Sequence, residues 1–103
     1  YESCFILLLN RANKTIGYAK ISQGGVSGTV VDVKLIAKYA VESLASGVIL
    51  AHNHPSGNLT PSHQDIALTR KVKEALTLLD SQLLDHVILS ADGYKSFADE
   101  GIL

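Results

Sequence analysis

Short apolar runs separated by polar turns predict several β-strands along the chain. Residues 4–9 are apolar on both faces, which is typical of a central strand covered on both sides. A polar turn over residues 10–14 follows, and residues 15–21 predict a second strand that forms a hairpin with the first. Residues 48–51 form an apolar run too short for a helix, so they predict a buried strand.

The end of the chain has the same character. Residues 84–89 predict a strand, residues 91–93 a hairpin turn through Ala-Asp-Gly, and residues 94–97 a last short strand. Glycines at positions 24, 25 and 28 interrupt the strand pattern after the second predicted strand.

Apolar residues recurring at steps of three and four predict two amphipathic helices. The first helix is expected to begin after Asp32, a good N-cap residue, and to end at Ser46 and Gly47, because glycine is common at helix C-termini. The second helix is predicted over residues 62–79. The two apolar stripes comprise Val33, Ile36, Ala37, Ala40, Val41 and Leu44, and then Leu68, Val72, Ala75, Leu76 and Leu79. Strands alternating with helices predict an α/β sandwich on a mixed sheet.

The composition is that of one compact domain. The chain has 103 residues, 47% of them hydrophobic, which is enough for a single core. A formal net charge of −1 gives no basic footprint for a phosphate backbone. The one cysteine, Cys4, is expected to be a small core hydrophobe in a reducing, cytoplasmic setting. No apolar run approaches the ~20 residues of a membrane span.

Candidate chemistry is concentrated in residues 51–65, A-H-N-H-P-S-G-N-L-T-P-S-H-Q-D. His52 and His54 follow the apolar strand, and alternation places them on the same face. Asp65 continues the apolar stripe of the second helix, so its carboxylate is expected to point inward. A lone buried charge is costly, whereas two imidazoles and one carboxylate are the ligands of many catalytic zinc ions.

Each of these residues also has a purely structural interpretation. Ser62 and Asp65 have the spacing of a capping box, in which side chains satisfy free backbone N–H groups. A histidine at a strand end is more often a polar terminus than a ligand, and His-x-His alone is a weak signal. The two interpretations are compatible, because a cap at Ser62 would fix the first helical turn and thereby direct Asp65.

The spacing His52-x-His54, then seven residues, then Ser62-x-x-Asp65 resembles the JAMM motif of the MPN+ or JAB-domain metallopeptidases. The stretch H-N-H-P-S-G-N-L-T-P-S-H-Q-D is similar to the bacterial RadC family of that superfamily, and the likeness extends over nearly the whole chain. It implies a three-layer sandwich with a mixed central sheet flanked by helices, as in JAB/MPN-like and cytidine-deaminase-like folds. It also implies that residues 1–103 are one domain, the C-terminal part of a longer protein.

The resemblance further implies roles for five residues. His52, His54 and Asp65 would hold one zinc ion per chain, with a water at the fourth position. Glu2 stands where the family has a glutamate before the first strand, so it would be the general base, and Ser62 would help to hold the oxyanion. The implied substrate is a peptide or isopeptide bond, and the sequence does not disclose its identity or the oligomeric state.

Two functions of different classes follow. The first is zinc-dependent hydrolysis of amide bonds. The second is a non-catalytic, metal-binding module in DNA repair or recombination, which the RadC label implies. The near-neutral charge argues against direct DNA binding by this domain. The letters H-N-H do not indicate an HNH nuclease, whose hairpin-and-helix metal site is not visible here.

The other two histidines are assigned structural roles. His63 is expected to be solvated on an exposed helical turn. His86, on a strand face with Leu84 and Ile88, is interpreted as a buried core histidine rather than as a group that orients a metal ligand.

Overall fold

The computed structural model describes residues 2–23 and 31–103, so the predicted interruption at positions 24, 25 and 28 lies outside the described residues. Within these ranges the chain forms five strands and two helices. The strands are β1 (Ser3–Leu9), β2 (Thr15–Gln23), β3 (Gly47–Asn53), β4 (Gln82–Ser90) and β5 (Gly93–Ser96), and the helices are α1 (Val33–Ser43) and α2 (His63–Leu78). None of the helices in this part of the chain is long and apolar enough to cross a membrane.

The strands form one mixed sheet in the order β2-β1-β3-β4-β5. β1 pairs antiparallel with both β2 and β3, β3 pairs parallel with β4, and β5 closes the sheet antiparallel to β4. The predicted hairpin of the first two strands is present. The predicted α/β class with a mixed central sheet is confirmed.

Both helices pack on the same face of this sheet. Ile36 of α1 and Val72 of α2 belong to one buried cluster together with Ile6 of β1 and Leu50 of β3. The connections from β2 to β3 and from β3 to β4 join parallel strands and step in the same direction across the sheet. Right-handed crossovers then put both helices on one side. The described residues therefore form two layers of the expected three-layer sandwich.

The other face of β1 is partly open to solvent. Cys4, Ile6 and Leu8 point into the core, whereas Phe5 and Leu7 remain 40% and 37% exposed. The expectation that this strand is covered on both sides is therefore wrong for the described residues. The expected central place in the sheet is confirmed, since β1 has a paired neighbour on each edge.

Helix α1 ends earlier than predicted. Leu44 adopts the left-handed conformation (φ 54°) and caps the helix, with its N–H directed to the carbonyl groups of Ala40 and Val41. Gly47 instead begins β3, where a Cβ atom would lie 2.6 Å from Leu84 Cδ1. The glycine leaves room for the Leu84 side chain within the sheet and does not end the helix.

The pairing of β3 with β4 contains one irregularity. Val48 pairs with Leu83 and Ile49 pairs with Asp85, so Leu84 is passed over. Leu83, His86 and Ile88 are buried, whereas Leu84 is not. The predicted face of Leu84, His86 and Ile88 is therefore wrong at Leu84, because regular alternation does not continue across an extra residue.

Candidate metal centre

The two candidate histidines leave the end of β3 side by side. Backbone pairing continues past the strand, because the His54 N–H donates to Leu89 O at 2.8 Å. The Nε2 atoms of His52 and His54 lie 2.8 Å apart. Gly57 has a φ of 84°, and its N–H donates to His54 O at 3.0 Å. A turn thus follows the histidines, with glycine in a conformation that other residues rarely adopt.

The tautomer of His54 follows from its surroundings. Nδ1 of His54 lies 2.7 Å from the backbone carbonyl oxygen of Asn58. A carbonyl oxygen only accepts, so Nδ1 carries the proton and a neutral His54 has its lone pair on Nε2. That lone pair is directed into the site.

Asp65 completes a group of three around this point. Its Oδ1 lies 3.2 Å from His52 Nε2, and its Oδ2 lies 3.5 Å from His54 Nε2. The side chain is 14% exposed, as expected for a carboxylate that continues the apolar stripe of α2. Burial raises the pKa of Asp65, but its contact with His52 and the hydrogen bond from the Ser62 N–H outweigh this effect and hold the pKa well below its usual range.

The capping interpretation is confirmed. Ser62 is the N-cap of α2, its Oγ accepts from the Asp65 N–H at 3.0 Å, and Asp65 Oδ2 accepts from the Ser62 N–H at 2.7 Å. Ser62 itself is exposed at the rim of the site. The cap fixes the first turn of α2, and this turn aims the Asp65 carboxylate at the histidines.

Glu2 approaches the histidines from the neighbouring strand. Its Oε1 lies 3.6 Å from His54 Nε2, and one ligand atom from each of Glu2, His52 and His54 lies within 4.8 Å of the others. The Ser3 N–H donates to Asn53 Oδ1 at 2.6 Å, which ties the start of β1 to the end of β3. This bond holds Glu2 beside the site.

Cys4 lies next to this group without chemistry of its own. It pairs with His52 across the sheet and is 1% exposed. Burial, and secondly the negative charge of Asp65, raise the pKa of the Cys4 thiol to about 12. The thiol stays protonated at neutral pH, which agrees with its expected role as a small core hydrophobe.

His86 makes contacts that its interpretation as a core histidine did not include. It is buried as expected, and its ring stacks on Phe97 with centroids 4.5 Å apart. Its Nε2, however, lies 2.7 Å from Nδ1 of His52, and its Nδ1 lies 2.6 Å from Thr69 Oγ1. A signal was present, since Thr69 follows Asp65 by four residues and so shares its helix face.

Known proteins are similar to this chain over nearly its whole length. The family model for the RadC-like JAB domain matches residues 1–102. The chain belongs to the RadC-like JAB domain family. A UPF0758 protein of Porphyromonas gingivalis is 55% identical over 103 residues, and one of Flavobacterium johnsoniae is 49% identical over 102 residues.

Those relatives are longer than this JAB domain. The alignments cover 99% of the present chain but 45% and 44% of the two relatives, so the chain spans less than half of their length. A UPF0758 protein of Pelobacter propionicus, 39% identical over 102 residues, gives the same proportion. The JAB domain family is consistent with a hydrolase, and the names of these relatives state no activity.

Proposed function

We propose that this domain is a zinc-dependent metallohydrolase that cleaves peptide or isopeptide bonds. The observation that carries the proposal is the convergence of His52 Nε2, His54 Nε2 and the Asp65 carboxylate at 2.8–3.5 Å, with the Glu2 carboxylate 3.6 Å from His54. Two imidazoles and two carboxylates in contact form a set of electron-pair donors that suits a divalent cation. Within residues 2–23 and 31–103, the ion-pair partners of both carboxylates are histidines.

The donor set fits zinc in kind and in spacing. Two ligand atoms held tetrahedrally at zinc–nitrogen distances of about 2.0–2.1 Å lie about 3.3–3.4 Å apart. The three observed separations of 2.8, 3.2 and 3.5 Å scatter around that value, so side-chain shifts of a few tenths of an ångström suffice. His52, His54 and Asp65 would hold the ion.

Zinc bound there would supply a water whose pKa is lowered from about 15.7 to about 7. Glu2 is the base on this proposal. Its carboxylate is 27% exposed and lies beside the ligands, so it can accept a proton from water and return it to the leaving amine nitrogen. A glutamate that accepts a proton and then returns it must not itself be a metal ligand.

Ser62 contributes a hydrogen-bond donor. Its Oγ already accepts from the Asp65 N–H, so the hydroxyl proton is left to donate outward from the exposed rim. A donor at that position suits an oxygen on which negative charge develops. The amide substrate class is carried over from the resemblance to JAMM peptidases, since the donor set by itself does not select a substrate.

Metal analysis tests the first part of the proposal. The purified protein is expected to hold one zinc per chain, and His52→Ala and Asp65→Asn are expected to lose it. The matched controls are His63→Ala and Asp92→Asn, which change the same residue types at exposed positions. A wild-type protein that fails to hold zinc at micromolar concentration would contradict the proposal.

Activity is tested separately with fluorescence-quenched peptides and lysine isopeptides. Zinc-dependent cleavage that is absent from His52→Ala supports hydrolysis. Zinc binding without cleavage of any such probe would favour the non-catalytic, metal-binding module.

A further inference from the structure

Beneath the candidate metal centre, three polar side chains form a continuous line. Thr69 Oγ1 lies 2.6 Å from His86 Nδ1, and His86 Nε2 lies 2.7 Å from His52 Nδ1. His52 then presents Nε2 to Asp65 and His54. Thr69 and His86 are 2% and 0% exposed, so water does not compete for these contacts.

The contacts of Thr69 decide which atoms donate and which accept in these hydrogen bonds. Its hydroxyl has one proton, and Oγ1 lies 2.7 Å from the backbone carbonyl oxygen of Asp65. Because a carbonyl oxygen only accepts, the hydroxyl proton must go to it; otherwise two oxygen lone pairs would face each other at that distance. Thr69 Oγ1 is therefore the acceptor for an N–H of His86.

The protons on both histidines then follow. His86 is fully buried, and its two ring nitrogens contact a hydroxyl and an imidazole rather than a carboxylate, so a charge on the ring would have no partner there. The neutral ring has one N–H. That N–H is on Nδ1, where Thr69 accepts it, which leaves only a lone pair on His86 Nε2. The 2.7 Å contact therefore requires His52 to donate from Nδ1. A neutral His52 keeps its own lone pair on Nε2, the atom that faces Asp65.

We propose that His86 is a positioning residue for the metal centre, which holds His52 with its proton on Nδ1 and directs its Nε2 lone pair toward the ion. The inference rests on the proposed function only for the identity of the ion, because the proton arrangement follows from the contacts of the chain itself. Metal-binding histidines ordinarily donate their second N–H to a carboxylate, a carbonyl oxygen or a water. In this domain the acceptor is a second, neutral histidine.

The surroundings of His86 make it a rigid acceptor. Its ring lies nearly parallel to that of Phe97, with an interplanar angle of 21°, and both rings are fully buried. Asp65 stands at both ends of this line. Its backbone carbonyl accepts from Thr69, and its Oδ1 lies 3.2 Å from His52 Nε2. One turn of α2 thus orients two of the three candidate ligands.

Nuclear magnetic resonance on protein labelled with nitrogen-15 in histidine tests the proton arrangement directly. Long-range proton–nitrogen correlations distinguish a protonated ring nitrogen from an unprotonated one. We expect His86 to carry its proton on Nδ1 in both the zinc-free and the zinc-loaded protein, and zinc to bind His52 through Nε2. A proton on Nε2 of His86, or zinc bound to Nδ1 of His52, would overturn the inference.

Variants at position 86 test whether the hydrogen bond between His86 and His52 raises the zinc affinity. His86→Phe keeps an aromatic ring on Phe97 but removes both nitrogens, and we expect the zinc affinity to fall by about 10–100-fold. His86→Gln is expected to restore most of that loss, because its amide oxygen can accept from His52 Nδ1. Affinities are measured by competition with a chromophoric chelator, and circular dichroism checks that each variant folds.

Thr69→Val provides a second variant that does not touch the histidines. It removes the hydroxyl that selects the His86 tautomer, so we expect a mixed proton population on His86 and a smaller loss of zinc affinity. The matched control is Thr77→Val, since Thr77 donates to Lys73 O at 2.8 Å in the same helix but is exposed. Equal zinc affinity and an unchanged His86 tautomer in both threonine variants would contradict the inference.

The outcomes also separate this inference from the proposed function. If the wild-type protein holds no zinc, the proposed function fails, and the tautomer of His86 in the zinc-free protein still decides the proton arrangement. If the wild type holds zinc and His86→Phe binds it equally well, the proposed function stands and the positioning role is lost.

Discussion

Ser62 and Asp65 each accept a hydrogen bond from the backbone N–H of the other, at 3.0 Å and 2.7 Å. The same Asp65 carboxylate lies 3.2 Å from His52 and 3.5 Å from His54. The Asp65 side chain therefore caps the first turn of α2 and also faces the candidate metal centre. Structural and functional roles of this residue are inseparable, whereas those of Ser62 can be separated by substitution.

We predict that Ser62→Ala and Ser62→Gly differ in stability but not in activity. Alanine at the N-cap is expected to lower the free energy of unfolding by about 1 kcal/mol, whereas glycine costs only a few tenths. Both variants remove the hydroxyl donor, so kcat should fall about equally in both. Urea unfolding and peptide cleavage measure the two quantities, and activity losses that follow stability would limit Ser62 to capping.

We predict that Glu2→Gln keeps zinc and loses hydrolysis. The three candidate ligands remain in place, while the amide cannot accept a proton, so kcat should fall by about 10²–10⁴-fold. Glu100→Gln is the matched control, because Glu100 pairs with Lys95 on the surface. Full turnover by Glu2→Gln, with zinc still bound, would show that the base is another group.

We predict that zinc raises the thermal stability of the wild type. A ligand that binds only the folded state adds about 2.7 kcal/mol at a free concentration of 100 times Kd. The melting temperature should rise with added zinc and return to the zinc-free value with a chelator. His54→Ala should abolish the rise, and His63→Ala, at an exposed position, should leave it intact.

We predict that the zinc-free protein loses stability between about pH 6.5 and about pH 4 through His86. Its pKa in the folded protein is lowered to about 4 by burial, from an ordinary value of 6.5. The unfolded chain therefore takes up this proton first as the pH falls, so the contribution is complete above pH 6.5 and is lost toward pH 4. The size is about 3 kcal/mol.

Urea unfolding of the wild type and of His86→Gln at a series of pH values measures this effect. The variant has no imidazole at position 86, so its stability should change less across the same range. Identical pH profiles for the two proteins would rule out His86 as the source.

Local spacing is sufficient to predict where the candidate ligands lie. His52 and His54 share a strand face, and Asp65 lies in the first turn of the following helix, so short-range geometry brings them together without knowledge of the remaining fold. Their roles as ligands, like those of Glu2 and Ser62, stay predictions. The capping box is also a local pattern and is present as predicted.

Long-range arrangement explains what the sequence did not reveal. Nothing in the stripe of α1 or α2 states which face of the sheet it covers, since this depends on the order of the strands. The partner of His86 was missed for the same reason, because Thr69 and His52 lie on two other elements. The end of α1 was misplaced because Leu44 adopts a conformation that usually favours glycine.

The residue passed over in β4 decides the direction in which His86 points. If Leu84 instead took a regular place in the ladder, Leu83 and His86, which are three residues apart, would lie on opposite faces of the sheet. Either Leu83 or His86 would then turn away from the helices. The proton line under the candidate metal centre thus depends on a bulge in a strand that supplies no ligand.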